Sequence, residues 1–423
     1  MSNLADTPAG RVQPRPDSNA SAEHERVHVT SGATGPDRNV ELRIVVAALG
    51  FRVVSAFLAL CVNLVFPLDH HLPNQSSVWG NPSPFWDAFA RHDSGWYFDI
   101  ARNGYDATNA VLGGRSNIAF APAYPMLMRY VGRLFGRAPG DLYLGGIVVS
   151  WVCFTLAMVV LYRLASLDVP RRQAERAVVL TAVFPFSFFF GAVYTESTFL
   201  LFTLLAFYGF RTGRWALGGL AGAIAGATRV TGILMWPALA WVAWEAARPA
   251  SRDRARAAAG LIVATLGFLG YCAYIYDLTG QPLLWATALT RWGSGYHPGG
   301  APWDAPVELV RRLMTHPYAY LASEPMAVYD TLYGVTALMF VAAIPFVWRK
   351  LGAAYGVFML LNLYVPLSSG AFEGLGRYCS VLFPAFIFLA SLRPRFVYTG
   401  LAVFFALFYT LGLAMFTTAR PLF

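Results

Sequence analysis

Apolar runs alternate with short polar segments along most of this chain. They lie at about 44–67, 142–162, 177–193, 196–210, 215–228, 230–247, 257–277, 326–347, 352–368, 378–391 and 397–416. A helix needs about 20 apolar residues to cross a hydrocarbon core, and the runs approach or meet that length. The pattern predicts an all-α polytopic membrane protein with about eleven transmembrane helices. Residues 1–42 show no such pattern. They are polar and rich in Pro, Ser, Gly, Arg and Asp, so they read as a disordered tail ahead of a membrane domain over 43–423. The first run is too long for a signal-peptide core and no small-residue cleavage site follows it, so it reads as a signal anchor. Arg52 lies one-third of the way into that run, where it must snorkel or find a partner.

Two polar stretches interrupt the runs, 68–140 and 278–325, and both read as large loops. Arg129, Arg133 and Arg137 recur every four residues in the first loop, opposite apolar positions. That spacing predicts an amphipathic helix at the headgroup level. The remaining arginines concentrate in the connections 163–176, 211–214, 248–256, 348–350 and 392–396, every one on the same side of the membrane by the alternation of spans. The positive-inside rule places that side, and the N-terminus, in the cytoplasm. Asp93, Glu196, Arg229 and Arg377 then all emerge extracytoplasmically, at or just inside span ends, where polar residues are functional candidates.

Asp93 sits in FWDAFARHDSGWYFDIARNGY, residues 85–105. Read as one helix, this stretch puts Phe89, Asp93, Trp96, Tyr97 and Ile100 on a single face, with Arg91, Ser94, Gly95 and Arg102 off it. A carboxylate on a buried stripe is costly to ionise unless it is paired, and such an environment makes a general base. Asp93 could equally cap a helix or pair with an arginine. Asp99 has Arg102 as a surface partner by spacing. Asp87, Asp93 and Asp99 do not share a helical face, which argues against a metal site. Glu196 could cap the helix that follows it. Arg229 lies between two short apolar runs and needs an anion, and Glu373 could serve Arg377. Any one of these residues alone is more simply structural; four on one side, rimmed by aromatic loops, suggest an active site.

Composition changes this picture little. The chain has 423 residues, is 57% hydrophobic and only 13% charged, and carries a formal charge of +9. A soluble domain is nearer a quarter charged. Lys350 is the only lysine. Cys61, Cys153, Cys272 and Cys379 all fall in apolar runs and read as small hydrophobes. No P-loop occurs, and the paired glycines inside apolar runs point to close helix packing.

Several segments together resemble the PIG-V type mannosyltransferases of the GT-C superfamily. They are RHDSGWYFDIARNGY (91–105), IAFAPAYPMLMR (118–129), FPFSFFFGAVYTESTFLLFTLLAFY (184–208), GRWALGGLAGAIAGATRVTGILM (213–235) and GRYCSVLFPAF (376–386), in the family's order. TGQPLLWATALTRWG (279–293) is similar to the family's membrane-proximal loop. The family usually has Trp-Asp where this chain has His92-Asp93. The resemblance implies a GT-C fold and transfer of a sugar, typically mannose, from a polyprenyl-phosphate donor to a glycolipid or glycan acceptor. No cofactor, no metal and no nucleic acid is implied. Asp93 takes the place of the family's presumed catalytic base. Tyr97, His92, Tyr194, Glu196, Arg229, Arg377 and Tyr378 are the candidate substrate-binding residues. The loop 291–303 reads as lying near the acceptor. A lipid transporter or flippase, or a non-catalytic partner of a transferase, is the alternative reading. The absence of an internal repeat and the placement of the polar residues at one surface favour the enzyme.

Overall fold

The computed structural model describes residues 38–66, 85–247, 251–291, 300–318, 325–368, 372, 374–420 and 422. Most of the tail, the start of the first loop, Glu373 and the centre of the 291–303 loop lie outside them, as do the expectations placed there. The described residues form helices and contain no strand. In chain order the helices are α1 Arg38–Val65, α2 Ser94–Asn103, α3 Ala107–Val111, α4 Ala123–Gly132, α5 Pro139–Ala165, α6 Arg171–Val183, α7 Glu196–Arg211, α8 Trp215–Thr228, α9 Trp236–Ala246, α10 Ser251–Thr279, α11 Leu284–Leu289, α12 Asp304–Thr315, α13 Pro325–Leu351, α14 Ala353–Leu367, α15 Leu375–Ser380, α16 Phe383–Ala390 and α17 Arg395–Thr417.

The protein is a multi-pass membrane protein. Five helices are long and apolar enough to cross a bilayer by themselves: α1, α5, α10, α13 from Thr331 onward, and α17. Three shorter apolar helices cover 215–228, 230–246 and 353–367. The other expected runs became α6, α7 and α16, with 13, 16 and 8 residues. Those lengths fall short of a bilayer. α7 and α16 are instead buried inside the bundle along most of their length.

Two expected runs are broken by proline. The run 177–193 stops being an α-helix at Val183 because Phe184, ahead of Pro185, is extended (ψ 142°). A residue before proline is pushed out of the helical region by the proline ring. The run 378–391 splits at Val381–Leu382, and Pro384, which has no amide to donate to the preceding turn, sits in the first turn of α16. α1 in contrast starts at Arg38, ahead of its apolar run, and its Glu41 makes a two-pronged ion pair with Arg163 of α5 at 2.6 and 2.7 Å.

Glycine brings the central helices together. A Cβ on Gly219 of α8 would sit 2.6 Å from the carbonyl oxygen of Gly260 on α10, and one on Gly267 of α10 would collide with the backbone of Ala223. Any side chain there forces the helices apart.

The segment 184–195 is non-α-helical, with a 3₁₀ turn at Ser187–Phe190, and is buried except at Pro185, so its backbone needs partners from other elements. Arg52 of α1 donates to the Ser187 carbonyl at 3.3 Å, which is the partner it was expected to need. Its guanidinium also lies 4.0 Å over the Phe154 ring. Trp151 of α5 donates to Gly191, Ser197 to Phe190, and Ser94 of α2 to Val193. The Val193 amide in turn donates to Phe89 at 2.9 Å. Side chains from four helices therefore fix the turn that leads into α7.

Candidate active site

The stretch 85–105 is not one helix. Asp87–Phe89 form a 3₁₀ turn, the chain then bends, and α2 begins at Ser94. His92 carries a positive φ of 50° at the bend, a conformation that costs a non-glycine residue energy. The single stripe expected from periodicity is thereby lost. Arg91 and Ser94, which the stripe left outside, are buried at 2% and 0% exposure. Arg91 reaches across to the Thr417 carbonyl of α17 at 3.1 Å. Tyr97 and Ile100 are buried as expected.

Asp93 occupies the position before α2, but its side chain does not cap the helix. Instead its Oδ2 accepts from Nη1 of Arg377 at 2.6 Å. Nε of Arg377 donates to Oε1 of Glu196 at 2.8 Å, and the same oxygen accepts from Nη1 of Arg229 at 2.8 Å. The four residues form one chain of charge, Asp93–Arg377–Glu196–Arg229, from four separate parts of the sequence. Glu196 is wholly buried, the two arginine side chains are 10% exposed, and Asp93 is the most accessible at 24%. Oε2 of Glu196 is buried and has no hydrogen-bond partner in the structure. Glu196 is the first helical residue of α7, with Thr195 in the cap position, so in place of the expected capping its carboxylate anchors both arginines.

Tyrosines build the walls. The Arg377 guanidinium lies 4.5 Å over the Tyr194 ring and 5.2 Å over Phe189, and that of Arg229 lies 4.6 Å over Tyr378. The Tyr194 hydroxyl accepts from the Asp93 amide and donates to the Arg91 carbonyl, both at 3.2 Å. It thus pins the bend that carries Asp93. Tyr97 packs edge-on against Tyr194 and Tyr124. Burial pushes the Tyr97 phenol above its usual range, reinforced by Asp93 and Glu196 and opposed by Arg377. The His92 ring packs against Phe416 at 5.8 Å. Burial, with Arg91 adjacent, drops its imidazole to about 3, against a hydrogen bond to the Arg420 backbone. His92 is therefore neutral at physiological pH. Burial likewise lowers the Arg91 guanidinium to about 10, with Asp87 opposing.

The structure brings together Asp93, Tyr97, Tyr194, Glu196, Arg229, Arg377 and Tyr378, with His92 on the flank. Two smaller expectations need correction. Asp99 bonds Asn103 and Asn117 at 2.8 and 2.7 Å rather than Arg102, whose guanidinium lies over Phe98. α4 ends at Gly132 with Arg133 as its cap, so Arg137 falls beyond the helix. Its buried side, Tyr124 and Met128, faces protein, and Tyr124 bonds Gly146 and Ser150 of α5. Sequence reasoning placed Arg91 off the buried face, where the structure buries it, and passed over Phe189. The only trace of Arg91 was its place two residues before Asp93.

A family model described as mannosyltransferase (PIG-V) matches residues 48–270, more than half of the chain. This chain belongs to the PIG-V mannosyltransferase family. It is accordingly a membrane glycosyltransferase. The match takes in Asp93, Glu196 and Arg229, while Arg377 lies beyond it. No curated protein matches the chain. Among solved structures, ArnT from Cupriavidus metallidurans bound to undecaprenyl phosphate is similar, with 13% identity and a TM-score of 0.49 over 92% of this chain and 77% of that one. The Archaeoglobus fulgidus oligosaccharyltransferase is similar at 14% identity and a TM-score of 0.45, over 88% of this chain and 53% of that one.

Proposed function

We propose that this PIG-V family member transfers a sugar, mannose in the first instance, from a polyprenyl-phosphate donor to a hydroxyl of a glycolipid or glycan. The observation that carries this reading is the Asp93–Arg377–Glu196–Arg229 network: one accessible carboxylate beside two cations held in place by a buried second carboxylate. Asp93 accepts the proton of the acceptor hydroxyl as that oxygen bonds to the anomeric carbon. The bond from the anomeric carbon to the phosphate oxygen breaks, and its electron pair leaves on the lipid phosphate. Negative charge builds on that oxygen, where a fixed guanidinium stabilises it. Arg377 fills this role, with Arg229 beside it. Direct displacement inverts the anomeric centre and needs only one catalytic carboxylate. Tyr97, Tyr194, Tyr378 and His92 line the substrates.

The arginine-rich connections at 163–176, 211–214 and 248–256 support a cytoplasmic N-terminal segment ahead of α1 and an extracytoplasmic site in the plasma membrane. The test is sugar transfer from radiolabelled polyprenyl-phosphate mannose into lipid extract, with wild type and Asp93→Asn membranes at matched expression. Wild type transfers, and the variant falls at least about 100-fold. Full activity in the variant removes Asp93 from the chemistry. Absence of transfer by wild type removes the donor.

A further inference from the structure

The proposed base and the proposed phosphate-binding cation hold each other. Asp93 Oδ2 sits 2.6 Å from Nη1 of Arg377, the closest contact in the network. The Asp93 oxygen that faces Arg377 already accepts a hydrogen bond, so it is not open to an acceptor hydroxyl. A guanidinium nitrogen occupied by a carboxylate must also release it before binding a phosphate. The two partners are not equally committed. Arg377 is anchored through Nε to buried Glu196, and its guanidinium carbon lies 4.5 Å from the centre of the Tyr194 ring. Asp93 makes no capping bond, its amide is tied to Tyr194 independently of its carboxylate, and it is the most exposed member of the four. When the pair opens, Arg377 stays and the Asp93 side chain leaves.

Resting on the donor assignment above, we propose that Asp93 and the donor's phosphate compete for Arg377, so that the lipid phosphate displaces Asp93 from it. Loading the donor then releases the base, and the acceptor hydroxyl meets a free carboxylate only when a sugar is in place. The formal charge of the four residues supports this order. Two carboxylates and two guanidiniums sum to zero, so the four residues carry no excess cation to which an anion could simply add. A phosphodiester carries one negative charge, as the Asp93 carboxylate does, and exchanges with it at Arg377 without changing what that cation sees.

This makes a prediction opposite to that for an ordinary binding residue. Asp93→Asn, though it loses transfer, binds undecaprenyl phosphate more tightly than wild type, by about 5- to 100-fold, the usual span of coupling between two linked events. Affinities are measured for the full-length protein in lipid nanodiscs, with undecaprenol, which lacks the phosphate, as the neutral probe. Asp93→Ala, which also removes the charge, behaves like Asp93→Asn. Asp93→Glu, which keeps it, stays within a few-fold of wild type. The gain disappears when Asp93→Asn is placed in an Arg377→Gln background, because the two residues are coupled through one contact. Equal or weaker phosphate binding by both Asp93→Asn and Asp93→Ala overturns the proposal. So does a gain that persists without Arg377, which would be long-range repulsion. A wild type that binds undecaprenol and undecaprenyl phosphate equally defeats the donor assignment itself, an outcome distinct from either.

Discussion

Helix α7 carries an ion cluster at each end, and the two are built differently. At its last residue, Arg211 grips Asp168 with two nitrogens, at 2.6 and 3.3 Å, while Tyr355 bridges the same carboxylate and guanidinium at 2.9 and 3.0 Å. One acid, one base and one phenol satisfy each other in a closed clasp. At its first residue, Glu196 shares a single oxygen between two arginines and leaves the other oxygen without a partner, while Arg377 reaches on to Asp93. The ends are about 24 Å apart along a 16-residue helix. Both are buried ion clusters in one membrane protein, so burial and charge do not distinguish a clasp from a site. Exposure does not either, since Arg211 at 26% is as accessible as Asp93 at 24%; unfinished hydrogen bonding does. Evolution of a purely structural pair has no use for a spare acceptor, since an unmet buried polar atom costs stability.

The comparison can be broken at either end. The largest effect is expected from Glu196→Ala, which leaves two arginines buried beside an empty space. Losing one partner of a buried ion pair costs about 3–5 kcal/mol, so the variant unfolds at markedly lower temperature and loses transfer. Thermal melting in detergent checks the first and the mannose-transfer assay the second; a melt unchanged from wild type would mean the network is not buried in the folded protein. Next, Asp93→Asn keeps wild-type melting within about 1 kcal/mol because Asp93 is partly exposed, yet loses at least about 100-fold in rate. Asp168→Asn inverts that profile. It loosens the clasp by about 1–3 kcal/mol and leaves transfer within about threefold of wild type. A rate loss in Asp168→Asn matching that of Asp93→Asn would erase the distinction between the two ends.

The smallest effect concerns His92. Its imidazole is held down to about 3, whereas in the unfolded chain it takes a proton near its ordinary value. Between about pH 6.5 and 3 the unfolded state therefore binds the extra proton, and stability falls as pH falls through that window. His92→Asn removes this slope and suits the positive φ better, since asparagine tolerates that region. Melting at pH 7 and pH 5 should show a larger drop for wild type than for the variant. Equal drops would mean His92 titrates normally.

Several parts of this protein were readable from residues alone because they depend on local pattern. The long apolar runs became helices with ends close to those expected, as with 215–228 and α8. Alternation of the apolar runs grouped Asp93, Glu196, Arg229 and Arg377 as one set, and the structure joins those four in one network. Other parts depend on contacts between distant segments, which a period of 3.6 residues does not encode. The bend at His92 exists because Arg91 is drawn to Thr417, 326 positions away, and because Tyr194 ties the backbone on both sides of it. The expected partner of Arg377 was its neighbour Glu373, but the described partners are Glu196 and Asp93, 181 and 284 positions away. The sequence by itself determined a helical membrane bundle and singled out the four charged residues, since apolar length and the interruption of apolar runs by charge are local features. Only the tertiary structure decided which acid meets which base, because in a buried site each charge takes whichever opposite charge the packed helices bring within hydrogen-bond reach.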